Sequence, residues 1–107
     1  MNTTTATTTE TQVNTIDINA KEWFDRINGN SYFAGSVTLN FGQPDAIILN
    51  MPFQYGYGDS YQYAAMSMLK EKGYTDARYM QDLREHGIIV RYNIQRGCKK
   101  RELMQYL

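Results

Sequence analysis

The chain has 107 residues, 42% of them hydrophobic, and its 11 basic side chains balance its 11 acidic side chains. This length accommodates one small domain with a single core, which excludes two independent domains. Because Cys98 is the one cysteine, an intrachain disulfide and a zinc site of several thiolates are excluded. No apolar run approaches the roughly 18 residues of a membrane span. We therefore expect a soluble, intracellular protein with no membrane partner.

The charges are unevenly distributed along the chain. Residues 1–87 carry six basic and ten acidic side chains, net −4, whereas residues 88–107 carry five basic and one acidic, net +4. The C-terminal segment is therefore electropositive. Such a segment is typical of a nucleic-acid contact, and equally of a surface that docks on acidic parts of another chain or of a sister subunit.

The N-terminal segment predicts little ordered structure. Residues 1–12 are nearly all polar or small, which predicts a flexible, threonine-rich arm ahead of a single α+β domain over residues 13–107. Such an arm could cross to a neighbouring subunit, so we expect a homo-oligomer. Residues 13–19 predict a weak strand, because their apolar side chains alternate only in part.

Residues 20–30 allow two interpretations. As a helix they would start at Asn19 and stop at Gly29. As a strand they would form the first arm of a hairpin, in which Asn28 and Gly29 supply the positive φ angles of a type I′ turn. The hairpin is favoured, because residues 31–39 are rich in aromatic and β-branched side chains and directly follow the Asn-Gly pair.

The chain is organised around residues 53–63 (FQYGYGDSYQY), a glycine-containing junction between a strand and a helix. Before it, residues 40–45 predict a turn and residues 46–51 a buried strand, whose continuation into a sheet interior Pro52 limits. Within it, Gly56 and Gly58 permit backbone angles that a Cβ forbids, and Asp59 is a suitable N-cap. The helix over residues 60–72 carries an apolar face at helical spacing, formed by Tyr61, Ala64, Ala65, Met68 and Leu69.

The C-terminal third completes the predicted fold. Residues 75–86 predict a second, shorter helix capped by Thr75, and residues 88–95 predict the clearest strand. Residues 96–101 predict a basic turn, and residues 102–107 either a helical turn or a last strand. The fold class is therefore α+β, a small antiparallel sheet of three to five strands with one main amphipathic helix packed across one face and a second short helix.

No arrangement of residues indicates catalysis. His86 is the only histidine, and it falls in the last turn of a predicted helix, where the helix dipole favours an imidazolium. The carboxylates are scattered singly, without the spacing of a metal site or an acid–base pair. The glycines around Tyr57 lack the lysine of a phosphate-binding loop. We expect a protein that is not an enzyme and that holds no cofactor or metal.

Tyrosines and cations indicate a binding surface instead. Tyrosines surround the glycine junction, and cations decorate or follow the last strand. Stacking on tyrosine and phosphate contacts from arginine and lysine suit a nucleotide or a single-stranded nucleic acid. The predicted ligand-binding residues are Tyr55, Tyr57, Gly58, Asp59, Ser60, Arg91, Arg96, Lys99 and Lys100. In the alternative interpretation, the tyrosines fill the core between sheet and helix, and the basic run is a solvated loop.

Two stretches resemble a known group of proteins. Residues 23–33 (WFDRINGNSYF) and 52–64 (PFQYGYGDSYQYA) are similar to motifs of small tailed-phage proteins, in which W-F-x-K/R precedes G-N-S/T-Y and Y-G-Y-G-[DE] opens a helix. The resemblance covers about residues 16–97. It implies a phage or prophage origin, and hence the cytoplasm of an infected bacterial host cell, but that group has no assigned activity. Where its members tend to have a histidine, this chain has Phe33, which argues against any role that needs an imidazole there.

The leading hypothesis is a non-enzymatic phage accessory or counter-defence protein that binds a host protein or sequesters a nucleotide-type ligand. The alternative is a single-stranded nucleic-acid-binding protein, whose affinity would fall steeply with added salt. The threonine-rich arm indicates a third hypothesis, a structural virion component.

Overall fold

A computed structural model describes residues 12–77 and 79–106 of the protein. In chain order the elements are β1 (Thr15–Asp25), β2 (Asn30–Leu39), β3 (Ile47–Tyr55), α1 (Ser60–Glu71), α2 (Met80–Glu85), β4 (Ile89–Gln95), α3 (Lys100–Leu103) and a 3-10 helix (Met104–Tyr106). The predicted α+β class, small sheet, main helix and second short helix are confirmed. Except for Gln12, the predicted arm lies outside the described residues, and the homo-oligomer stays a prediction. No helix in the described part of the chain has the length and hydropathy of a membrane span.

The four strands form one sheet in the order β3-β2-β1-β4. The pairs β1–β2 and β2–β3 are antiparallel, as predicted, whereas β4 runs parallel to β1. β3 and β4 lie at opposite edges of the sheet, and the helices that join them determine the direction of β4. The start of α1 lies beside Phe33, and its last buried residue, Leu69, lies beside Ile16 and Leu39 at the other end of the sheet. The helix thus returns the chain to the end where β3 began, so β4 runs in the direction of β3.

The first two strands form the hairpin that the sequence favours over a helix. The predicted two-residue type I′ turn is wrong, because residues 26–29 form a four-residue loop in which only Gly29 has a positive φ, 72°. The Asp25 carboxylate accepts hydrogen bonds from the amides of Ile27 (3.0 Å) and Asn28 (3.3 Å). An aspartate that binds the next amides along the chain organises a wider loop than an Asn-Gly pair alone.

The main hydrophobic core lies between the sheet and α1. The predicted apolar face of α1 is confirmed, since Tyr61, Ala65 and Leu69 are buried, together with Met66. The sheet contributes Ile16, Ile18, Ala20, Phe33, Val37, Leu39, Met51 and Val90. Full burial of one large aliphatic side chain stabilises the fold by about 1.5–3 kcal/mol. This face of the sheet is therefore filled by the protein's own side chains.

A smaller cluster lies on the opposite face of the sheet. Cys98 and Leu103 are buried there against Ala34, and Tyr106 packs at its border. The helical alternative for residues 102–107 is confirmed up to Tyr106, although α3 already begins inside the predicted basic turn. The amide of Lys99 donates to the carboxylate of Glu102 (2.8 Å), which favours the start of this helix. The C-terminal helix therefore covers the hairpin end of the second face.

The predicted burial of the strand over residues 46–51 is wrong. It is part of β3, an edge strand whose residues alternate in exposure, from Ile48 at 69% exposed to Met51 at 1%. A short apolar run does not distinguish an edge strand from a covered one. The strand also continues through Pro52 to Tyr55, which is possible because an edge strand needs hydrogen bonds on one side only.

Two predicted helix caps make no capping hydrogen bond. Asp59 precedes α1, but its φ of −90° and ψ of 8° lie outside the extended region that a capping residue needs. The Thr75 hydroxyl accepts a hydrogen bond from the amide of Ala77 (3.0 Å), in a turn that precedes α2. The first turn of α2 is instead closed by the amide of Tyr79, which donates to the carboxylate of Asp82 (3.2 Å).

Candidate functional site

A row of aromatic rings crosses three strands at the hairpin end of the sheet. The register pairs Trp23 with Tyr32, and Tyr32 with Tyr55, on the face opposite α1. The ring centroids of Trp23 and Tyr32 are 5.5 Å apart, and those of Tyr32 and Phe53 are 5.0 Å apart, both stacked. The ring of Tyr55 meets Tyr32 edge-on at 5.9 Å and Tyr57 at 6.5 Å. The rings therefore form one continuous row from β1 to the junction after β3.

Burial divides this row into an inner and an outer part. The inner rings, Trp23, Tyr32 and Phe53, are partly buried against the C-terminal cluster. The outer rings, Tyr55 and Tyr57, are 60% and 67% exposed. The inner rings therefore support the sheet and the C-terminal helix, whereas the outer rings are free to contact a ligand.

Two lysines lie beside the row of rings. The Lys100 ammonium is 5.5 Å from the ring centroid of Trp23 and 6.0 Å from that of Phe53, within cation–π range. Lys99 precedes it and is exposed. Within the described residues, neither lysine has a carboxylate within 4.0 Å. The aromatic–lysine surface is defined here as Trp23, Tyr32, Phe53, Tyr55, Tyr57, Lys99 and Lys100.

The glycine junction holds Tyr57 at the surface. Gly58 has a φ of 58°, as the sequence predicts, and a Cβ at Gly56 would lie 2.5 Å from a neighbouring ring carbon. The Ser60 hydroxyl donates to the carbonyl of Tyr57 (2.7 Å) and accepts from its amide (3.2 Å). Ser60 therefore holds the junction backbone, and Gly58 and Asp59 form the exposed turn beside it.

The structure gives two predicted cations carboxylate partners and places one of them far from this surface. Arg91 binds Asp17 through two nitrogens, at 2.6 and 3.1 Å, and this hydrogen-bonded carboxylate raises the pKa of Arg91. Asp17 lies six residues before Trp23 on β1, about 20 Å along the strand. Arg96 donates to Glu22 at 2.8 Å. Both arginines therefore have carboxylate partners, and Arg91 lies far from the exposed tyrosines.

A cleft of about 450 Å³ adjoins the aromatic–lysine surface. It lies between the hairpin loop and residues 97–100. Its lining includes Trp23, Lys99 and Lys100 of the aromatic–lysine surface. On its hairpin side are two exposed apolar side chains, Phe24 at 50% and Ile27 at 93%. The cleft and the row of rings are therefore contiguous.

Asp25 brings a carboxylate to this cleft. The side-chain amide of Asn28 donates to it (2.8 Å) and lowers the pKa of Asp25. The backbone amides of Asn28 and Ile27 and the charge of Lys100 act in the same direction, whereas burial opposes them. The Asp25 carboxylate is therefore ionised at neutral pH and bound to its own loop.

Among the predicted site residues, the structure brings together Tyr55 and Tyr57 at one end of the surface and Lys99 and Lys100 at the other. Sequence reasoning missed the three rings between them, Trp23, Tyr32 and Phe53. Only Phe53 carried a local signal, because it lies two residues before Tyr55 and would share its face in an extended strand. Trp23 and Tyr32 meet through the register of the hairpin, which the sequence does not reveal.

Comparison of the chain with protein-family models, with curated proteins and with solved structures yields no match.

Proposed function

We propose that this protein is a non-enzymatic binding protein that holds a nucleotide-type ligand, a base with phosphate, on the aromatic–lysine surface. The observation that carries the proposal is the continuous row of rings, which leads from exposed Tyr55 and Tyr57 to Lys100. Lysines that have no carboxylate partner among residues 12–77 and 79–106 lie at one end, and exposed rings lie at the other. These ends match the two chemical parts of a nucleotide.

Each part of the surface has a distinct role in this proposal. Tyr55 and Tyr57 stack on the base, which contributes about 1–3 kcal/mol per base. Lys99 and Lys100 contact the phosphate as point charges. The half-buried rings of Trp23 and Phe53 keep Lys100 close to the sheet through cation–π attraction. Ser60 supports the site indirectly, because its hydroxyl holds the backbone of Tyr57.

The resemblance to tailed-phage proteins supports a biological setting for this activity. In an infected bacterial host cell, an accessory or counter-defence protein of this kind would act by sequestering the ligand. Sequestration requires a dissociation constant below the cellular concentration of the ligand, because most of the ligand must be bound. A host protein is the competing partner, since exposed tyrosines also suit protein interfaces. The positive charges of Lys99 and Lys100 favour the anionic ligand.

Equilibrium titration with the four nucleoside triphosphates tests the proposal. We expect saturable binding of at least one of them, and a loss of about 5- to 150-fold in affinity for the double variant Tyr55→Ala/Tyr57→Ala, the factor that corresponds to stacking on one base. Isothermal calorimetry measures both affinities directly.

The matched control is Tyr63→Ala. Tyr63 is 68% exposed, close to the 60% and 67% of the two tyrosines of the site, but it lies on α1. Its removal should leave the affinity unchanged. No binding of any nucleotide by the intact protein at low salt, or an equal loss in the control, would contradict the proposal.

A further inference from the structure

The ligand class can be narrowed, on the premise that the proposed function is correct. We infer that the ligand is a single-stranded oligonucleotide of several residues, which extends from Tyr55 and Tyr57 across Lys100 into the cleft beside the hairpin loop. A mononucleotide would occupy only the first part of this path.

The first argument is the continuity of the surface. Trp23 and Lys100 belong both to the aromatic–lysine surface and to the cleft. The row of rings crosses from β3 to β1, two strand spacings or about 10 Å, before it reaches the cleft. Phe24 and Ile27, which are 50% and 93% exposed, line the cleft itself. A ligand that contacts both ends must therefore be longer than one base with its phosphate.

The second argument is the pattern of charge. Among the described residues, three lysine or arginine side chains lie within 4.0 Å of a carboxylate, and none of the three lines the cleft. The pairs are Lys21 with Glu102, Arg91 with Asp17, and Arg96 with Glu22. Three other cations line the cleft and have no such partner in the described part of the chain: Arg26, Lys99 and Lys100. The cleft also holds the Asp25 carboxylate, which is bound to its own loop, so three cations against one carboxylate leave it net positive and suited to a chain of phosphates.

The third argument is the presence of apolar side chains among these cations. A duplex presents phosphates but keeps its base faces stacked inside, whereas a single strand offers both phosphates and free base faces. The cleft is lined by exposed Phe24 together with Lys99 and Lys100, and exposed Tyr55 belongs to the row of rings that adjoins it. Rings interleaved with cations therefore fit a single strand better than a duplex.

A length series tests the inference. The probes are thymidine monophosphate and thymidine oligonucleotides of about four and eight residues, with a G·C-rich hairpin of the same stem length as the duplex probe. The length range follows single-strand site sizes. We expect the eight-residue strand to bind at least about 30-fold more tightly than the mononucleotide, and more tightly than the duplex, because the longer strand adds phosphate and base contacts in the cleft. Fluorescence anisotropy at several salt concentrations measures these affinities.

The discriminating variant is Phe24→Ala/Arg26→Gln, which removes a ring and a cation from the cleft alone. This variant should lose most of the gain in affinity with oligonucleotide length and leave mononucleotide affinity unchanged. The slope of log affinity against log salt concentration should become smaller by about 0.7, the value for one phosphate contact on a single strand. The matched control, Tyr63→Ala/Lys70→Gln, removes an exposed ring and an exposed cation from α1 and should bind as the intact protein does.

Equal affinity for the mononucleotide and the eight-residue strand would overturn the inference and leave the proposed function intact. Retention of the length gain in Phe24→Ala/Arg26→Gln would also overturn it, because the cleft would then not hold the strand. Failure of every probe to bind at low salt would overturn the inference together with the proposed function.

Discussion

Replacement of Gly35 by alanine should destabilise the protein by about 3 kcal/mol, the upper part of the range for overpacking a core. Gly35 lies in β2 opposite Ala20, and a Cβ at this position would lie 2.7 Å from the Ala20 Cα. Backbone atoms of the two central strands cannot move apart without loss of their hydrogen bonds. We expect the urea midpoint and the melting temperature to fall together, the latter by more than about 10 °C.

The matched control for this variant is Ser36→Ala. Ser36 is the next residue of the same strand, but it points to the other face and is only half-buried. Its replacement should change the stability by less than about 0.5 kcal/mol. A Gly35→Ala variant as stable as Ser36→Ala would show that β1 and β2 do not approach each other as closely as described.

Replacement of Asn40 by alanine should cost a similar amount, about 3 kcal/mol, because it leaves several partly buried backbone groups without their partner. Asn40 is fully buried, and its side chain accepts from the amides of Asn14 (2.7 Å) and Thr15 (3.3 Å). The same side chain donates to the carbonyl of Gln12 (2.8 Å). One asparagine therefore fixes the start of β1 against the end of β2. Urea denaturation measures the loss.

A second variant, Asn40→Gly, separates the two contributions of this residue. Asn40 has a φ of 54°, a conformation that glycine adopts without strain and alanine does not. Both variants lose the same side-chain hydrogen bonds, so Asn40→Gly should be more stable than Asn40→Ala by about 1 kcal/mol. The reverse order would contradict the backbone conformation at this position.

The elements of the fold could be predicted from the sequence because each depends on local pattern. The apolar spacing from Tyr61 to Leu69 and the Asn-Gly pair before residue 30 are signals within one segment. The direction of β4 could not be predicted, because it depends on the end of the sheet at which α1 and α2 place the start of β4. The alternation of residues in β4 is the same in a parallel and in an antiparallel pair.

The inner part of the candidate site depends on the length of one loop. A two-residue turn at Asn28 and Gly29 would pair Trp23 with Ala34, whereas the observed four-residue loop pairs Trp23 with Tyr32. The Asp25 hydrogen bonds that select the wider loop involve side-chain geometry that turn statistics do not include. A shift of two residues therefore determines whether a row of rings exists.

The cationic part of the site could be predicted only in part. The electropositive C-terminal segment does reach the row of rings, because Lys100 lies over Trp23 and Phe53. Arg91 and Arg96 are equally cationic in the sequence, yet carboxylates 74 positions away in the chain bind both of them. Such long-range pairs follow from the parallel β1–β4 register, which the sequence does not reveal.

The central claim is that exposed Tyr55 and Tyr57, together with Lys99 and Lys100, form one ligand-binding surface. Chemical-shift mapping of the ¹⁵N-labelled protein during titration with a nucleoside triphosphate tests it most directly. We predict saturable shifts at the amides of residues 55–58 and 97–100, with little change in β4 near Arg91. Shifts confined to α1 or to residues 89–93, or no shifts at millimolar ligand, would contradict the claim.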